Sequence, residues 1–152
     1  MPREILAETP AEDYIVERGV TLALLDGLTV LYVEDDPDTR DVMVLGLERH
    51  GARVLATDSV QAALLTFEQQ KPDVVVADLE LPEMDGWMLV QAVRDLPSER
   101  EKRTPAIAVT VHNEPADRLK SLSAGFTLHM AKPLTPDQLA LRVALLVKPI
   151  PS

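Results

Sequence analysis

Four apolar residues in a row, Val74-Val75-Val76-Ala77, stop at a carboxylate, Asp78. Nothing in the run alternates with polar residues, so it reads as a strand buried on both faces. A strand of that kind belongs to a parallel sheet covered by helices on either side, which restricts how the rest of the chain can be laid out. Asp78 then stands at the carboxyl end of its strand, the edge of an open parallel sheet where ligands bind. Behind it, Pro82 and Asp85-Gly86 mark a tight loop returning to a helix. Taken alone, Asp78 fits a turn or N-cap residue as well as a site residue.

The remaining segments supply the helices and strands that such a sheet needs. Further strands are expected at Leu28–Val33, Arg53–Ala56, Pro105–Val109 and Phe126–Ala131. Asp36 is a natural N-cap with Pro37 at the first helical position, for a helix to about His50 with Val42, Met43, Leu45 and Leu47 inward. Asp58 or Ser59 caps a second helix carrying Ala62, Leu65 and Phe67, and Trp87 to about Arg94 forms a third with Met88, Val90 and either Val93 or Leu89 inward. Pro115 starts a short fourth through Leu119 and Leu122, stopped by Gly125. Thr135 caps a fifth from Pro136 to Val147, with Leu139, Val143 and Leu146 facing in. Pro97–Thr104 reads as a polar loop. Strict alternation of strand and helix implies parallel strands and right-handed crossovers.

The chain has 152 residues, enough for one domain. Residues 28–148 make that domain and 149–152 a short tail. Residues 1–27 form an N-terminal arm with two basic against six acidic residues and a helix expected from Ala11 to Leu25, interrupted at Gly19. A net charge of −10 argues against nucleic acid or an anionic membrane as partner. The absence of cysteine excludes disulfides and thiol chemistry. No apolar run approaches the roughly 20 residues a membrane helix needs, and the start lacks the form of a secretion signal. The expectation is a soluble, cytoplasmic protein.

The polar residues at the strand ends carry the chemistry. Glu34, Asp35 and Asp36 follow the first strand, Asp78 the third, Thr110 the fourth and Lys132 the fifth. All meet at one edge. Carboxylates so crowded repel unless a cation offsets them, and Mg²⁺, which prefers oxygen ligands, is the expected one. Lys132 opposes the carboxylates or holds a phosphoryl oxygen, and the Thr110 hydroxyl donates to another. The set reads as a site for phosphoryl transfer to a carboxylate.

Val33-Glu34-Asp35-Asp36-Pro37, Asp78 with Leu81-Pro82-Glu83-Met84-Asp85-Gly86, Thr110 and Ala131-Lys132-Pro133 together resemble the receiver domain of two-component response regulators, over about residues 28–148. The resemblance implies a flavodoxin-like, doubly wound five-stranded parallel sheet in the order 2-1-3-4-5 with five helices. It implies that Asp78 accepts a phosphoryl group from a histidine of a sensor kinase or phosphotransfer protein, with Mg²⁺. Asp35 is then a direct metal ligand, Glu34 acts mostly through water, and Glu80 gives its backbone carbonyl. Thr110 and Lys132 bind phosphoryl oxygens, Lys132-Pro133 is cis, and the switch position falls on His129, otherwise a solvent-facing strand residue.

Val111 departs from the family's usual small residue and is expected to narrow access to Asp78. Glu80 and His112 flank the phosphoryl position, where they orient or block water unless they are plain loop residues. His50 is read as a helix-end residue complementing the dipole, Trp87 as packing, Asp36 as an N-cap, and Glu83 and Asp85 as turn residues. The function expected is a stand-alone receiver, not an enzyme beyond its own phosphorylation and dephosphorylation. It signals by protein contacts through helix four, strand five and helix five, or through the arm, with a homodimer plausible. The alternatives are a phosphate-independent interaction module, a receiver portion of a hybrid sensor kinase, and an aspartate-nucleophile phosphohydrolase. The last is disfavoured because Asp36-Pro37-Asp38-Thr39 places Thr one position early.

Overall fold

In the computed structural model, residues 23–80 and 86–147 are described. The strands are β1 (Thr29–Val33), β2 (Arg53–Thr57), β3 (Val74–Asp78), β4 (Ala106–Thr110) and β5 (Leu128–Ala131). All neighbouring pairs are parallel, in the order β2-β1-β3-β4-β5. The five helices are α1 (Pro37–Arg49), α2 (Val60–Gln70), α3 (Gly86–Arg94), α4 (Pro115–Ala124) and α5 (Pro136–Val147). The expected flavodoxin-like architecture is therefore the observed one. The segment read as a polar loop contains a single helical turn, Glu99–Arg103.

Successive residues of the central strands point to opposite faces and build two cores. Val30, Tyr32, Val74, Val76, Ile107 and Val109 pack against α1 and α5 through Met43, Leu47, Leu139 and Val143. Leu31, Val33, Val75, Ala77, Ala106 and Ala108 pack on the other face against Val60, Ala63, Phe67, Leu89, Val90 and Val93. Every residue of β3 and β4 is buried, as the unbroken apolar runs require.

Several helix phases differ from expectation. In α1 the buried positions are Met43, Leu47 and the capping His50, with the close-packed Gly46 among them, while Val42 and Leu45 are 60% and 55% exposed. Spacing of three and four residues explains the set, but a glycine and a histidine in the stripe disguise it. Met88, expected inward in α3, likewise faces solvent, as do Leu65 in α2 and Leu119 and Leu122 in α4, to which no face was assigned. In α4 the buried residue is Ser121, not a leucine.

His50 does more than end a helix. It is buried, and its Nε2 lies 2.8 Å from Asp137 Oδ1 at the start of α5. Thr135 and Gln138 cap that helix reciprocally, at 2.8 and 3.1 Å. Leu24 and Leu25, read as the end of the arm's helix, lie with Asp26 and Gly27 in a turn, and Leu25 is fully buried with its N–H donating to His50 O at 2.8 Å. The rest of the arm, Glu83 and Asp85, and the tail lie outside the described residues.

Candidate phosphoacceptor site

The site forms because strand register aligns the carboxyl ends. Glu34 N–H donates to Thr57 O at 3.0 Å, Leu79 N–H to Val109 O at 3.1 Å and Lys132 N–H to Thr110 O at 2.9 Å. Each bond carries the ladder one residue past its strand and fixes the residue that bears the functional group. Asp36 caps α1 by accepting from Thr39 N–H at 2.8 Å, so only Glu34 and Asp35 lie between strand end and cap. Arg40 Nη1 donates to Glu34 O at 2.9 Å and holds that link. Glu34 turns inward, 3% exposed, and Asp35 outward. A Cβ at Gly86, the first residue of α3, would stand 3.1 Å from the Asp78 carbonyl oxygen and 2.7 Å from Leu79 Cδ2, so α3 begins close against the end of β3.

Asp78 is 4% exposed. Its Oδ1 accepts from Glu80 N–H at 2.9 Å, and its Oδ2 lies 2.9 Å from Lys132 Nζ. One carboxylate oxygen each of Glu34, Asp35 and Asp78 lie within 4.8 Å of one another. Glu34 Oε2 is buried with no hydrogen-bond partner. A buried acceptor with no donor costs about 1–3 kcal/mol, and a hard divalent cation supplies what it lacks. The residues present therefore fit Mg²⁺.

The carboxylates divide their roles. Burial, then the hydrogen bond to Asp78 and the Asp78 charge, push Glu34 up to about 8. Burial also acts to raise Asp78, but hydrogen bonds from Glu34, Glu80 and Lys132 outweigh it and hold Asp78 well below the usual carboxylate range. Burial acts to lower Lys132, and its bond to Asp78 more than reverses that, so it stays charged. The two shifts run in opposite directions: the surroundings favour the proton on Glu34 and the negative charge on Asp78.

Thr110 and Lys132 are where the sequence placed them, with a third group between them. The Glu80 carboxylate accepts from the Thr110 hydroxyl, from Val111 N–H at 3.2 Å and from Lys132 Nζ at 3.3 Å. His112 is exposed, its Nε2 3.9 Å from Glu80 Oε1, and its N–H donates to Thr110 Oγ1 at 3.0 Å. Val111 is 59% exposed and lines a cavity of about 330 Å³ with Tyr32, Met43, Lys132 and Pro133. Lys132-Pro133 is cis. Trp87 packs against the α2–α3 core and lines a cavity of about 360 Å³ with Glu80, Thr110 and His129, while Lys120 Nζ sits 3.6 Å from its ring centre.

His129 does not face solvent. It is 6% exposed, with Nδ1 2.8 Å from Ser121 Oγ and Nε2 2.9 Å from Asn113 Oδ1. Asn113 Nδ2 donates to Thr110 O at 3.1 Å. Asn113 and Ser121 were missed from sequence. Their offsets of three residues from Thr110 and eight from His129 carry no signal until α4 is placed.

A buried Asp at the carboxyl edge of a 2-1-3-4-5 sheet, ringed by two acids, a hydroxyl and a lysine, defines a flavodoxin-like α/β protein with an acidic site at its strand ends. The chain belongs to the response regulator receiver family: the sequence model described as "Response regulator receiver domain" matches residues 30–144. It is 40% identical over 119 residues to an uncharacterised 14.6 kDa protein from Leptolyngbya boryana, covering 78% of this chain and 87% of that one. It is 35% identical over 118 residues to the KDP operon transcriptional regulatory protein KdpE of Escherichia coli, covering 76% of this chain but 50% of KdpE. Among solved structures it resembles a putative response regulator from Chloroflexus aurantiacus, with TM-score 0.73 and 29% identity over 79% of this chain and 97% of that one. The chemotaxis response regulator CheY4 of Vibrio cholerae gives TM-score 0.71 and 27% identity over 79% and 98%. No helix among the described residues is long and apolar enough to cross a membrane.

Proposed function

We propose that Asp78 is the phosphoacceptor of a two-component pathway, loaded by a sensor histidine kinase or phosphotransfer protein. The carrying observation is the buried Asp78 carboxylate with the Glu34 and Asp35 carboxylates beside it and Lys132 Nζ at 2.9 Å. An Asp78 oxygen attacks the phosphorus of a phosphohistidine. The P–N bond breaks, its electron pair returns to the imidazole nitrogen, and an acyl phosphate forms on Asp78. Glu34, Asp35, Asp78 and the Glu80 backbone carbonyl would hold Mg²⁺, which when bound offsets the charge on the phosphoryl oxygens. Thr110 and Lys132 take those oxygens. The added charge of about −1.5 to −2 pulls on both and biases the packing of β4, β5 and their helices, with His129 in the switch role.

Output is by protein contact. The apolar Leu119 and Leu122 on α4 and Leu145 on α5 are exposed, which supports a protein contact through these helices and also suits a homodimer. The protein catalyses at most its own phosphorylation and dephosphorylation, in the cytoplasm, without nucleic acid or membrane. Incubation with acetyl phosphate and Mg²⁺, read by intact mass, should add one phosphoryl group to the wild type and none to Asp78→Asn. No gain even with a phosphorylated kinase refutes the reading. One observation favours the rival, a phosphate-independent module: Glu80 already engages Thr110 and Lys132.

A further inference from the structure

The groups that would receive phosphoryl oxygens are the Thr110 hydroxyl, the Lys132 ammonium and, between them, the Val111 N–H. In this structure all three are bound to one carboxylate, Glu80. Its two oxygens divide the work: Oε1 takes Thr110 and Val111, and Oε2 takes Lys132. Glu80 lies two residues after Asp78, and Asp78 Oδ1 itself accepts from the Glu80 N–H at 2.9 Å. That bond holds Glu80 beside Asp78, and the two carboxylates share Lys132. Lys132 bridges the two acids, 2.9 Å from Asp78 and 3.3 Å from Glu80.

A carboxylate set against a hydroxyl, an amide N–H and an ammonium matches the charge sign and acceptor geometry of a phosphoryl group. It is also a like charge in the path of an anionic donor. We infer that Glu80 is an intrachain stand-in for the phosphoryl group: it occupies the three donors in the resting protein and must leave before a phosphoryl group on Asp78 can take them. The inference rests on the phosphoacceptor reading above.

Two consequences separate this role from a passive loop contact. Phosphoryl analogues compete with Glu80, so removing its carboxylate tightens their binding. The donors are already engaged at rest, so the Val111 amide is protected before any ligand arrives. Glu80 is about one-third exposed and belongs to no helix or strand, which makes substitution compatible with the fold.

The test uses fluoroberyllate with Mg²⁺ on the full chain, read by the fluorescence of Trp87, the one tryptophan, which lines the same cavity as Glu80. Glu80→Ala should bind fluoroberyllate about tenfold tighter than wild type, and Glu80→Gln, which keeps an acceptor oxygen but no charge, by less. Amide hydrogen exchange at Val111 without ligand should speed up by about tenfold in Glu80→Ala, and fluoroberyllate should restore protection. Wild type that binds while Glu80→Ala binds no better, or an unchanged Val111 amide, overturns the inference and leaves the phosphoacceptor reading standing. Silence of wild type and both variants overturns both. Binding by Glu80→Ala where wild type is silent supports both.

Discussion

Mg²⁺ binding to this protein should be coupled to release of a proton from Glu34. The Glu34 carboxyl is 3% exposed. Burial and the neighbouring Asp78 raise it from 4.5 to about 8. It therefore holds a proton at neutral pH, and a cation must displace that proton to use the oxygen. Protonation therefore weakens apparent Mg²⁺ affinity at acidic and neutral pH, by up to about tenfold per pH unit, and affinity rises with pH until the Glu34 carboxyl has ionised.

The same shift acts on folding. The native state binds more protons than the unfolded one between about 4.5 and 8, so metal-free stability falls as pH rises through that window. The ceiling is about 5 kcal/mol, the product of the shift and the energy of one pKa unit. Asp78, held low, contributes stability in the opposite sense, lost as pH falls below the ordinary carboxylate range. Glu34→Gln fixes the neutral form and should flatten the slope, abolish proton release and weaken Mg²⁺ binding. Titration calorimetry at pH 6, 7 and 8, in buffers of different ionisation enthalpy, measures affinity and proton count together. Apparent affinity that is flat across this range, or equal proton release by wild type and Glu34→Gln, would refute the argument.

Gly46→Ala sets helix propensity against packing. Alanine favours the helix by about 1 kcal/mol, but its Cβ would stand 2.1 Å from Pro136 Cβ and 2.6 Å from Cγ. Overpacking costs about 1–3 kcal/mol, so urea unfolding should show net destabilisation, and a gain would mean that α5 yields freely at its start. Val111→Ala should raise severalfold both the rate of Asp78 phosphorylation by acetyl phosphate and the hydrolysis of the product. Unchanged rates would remove Val111 as a restriction on access. His129→Ala removes the partner of the Ser121 hydroxyl and of Asn113 Oδ1 and opens a void, at a cost of about 2–4 kcal/mol by denaturant unfolding. A neutral result would place His129 outside the packed core.

What the sequence revealed followed from where the physics is local. Strand runs, the Asp36 cap and the acids, hydroxyl and lysine at the strand ends depend on neighbours in the chain, and the structure brings Glu34, Asp35 and Asp78 together with Lys132. Helix phase depends on what lies across the interface. Following leucines misplaced part of the inward face of α1, where Gly46 admits Pro136 and His50 meets Asp137, and no inward residue of α4 was assigned, because its anchor is Ser121. The Glu80 side chain was legible only as a neighbour of Asp78, because the donors that attract it come from β4 and the end of β5, 30 and 52 residues away.

Those donors also connect the site to the outer helix. Thr110 is held by Glu80 through its hydroxyl, and its carbonyl accepts from Asn113 Nδ2. With its nitrogen so used, Asn113 offers only Oδ1 to His129, so His129 Nε2 must carry the proton. Burial, with the Arg118 charge, lowers the His129 pKa and favours the neutral ring. Its Nδ1 then accepts from the Ser121 hydroxyl on α4. From the Thr110 carbonyl through Asn113 and His129 to Ser121, each hydrogen bond has one assignment of donor and acceptor, so a shift of the Thr110 backbone is passed along without a compensating flip. Ser121 is the buried anchor of a helix whose leucines face water. Releasing that one bond therefore loosens α4 more than it would a helix locked by apolar packing. On the proposed phosphoacceptor role, a Thr110 drawn from Glu80 toward a phosphoryl oxygen should carry its carbonyl with it and shift α4 along this path.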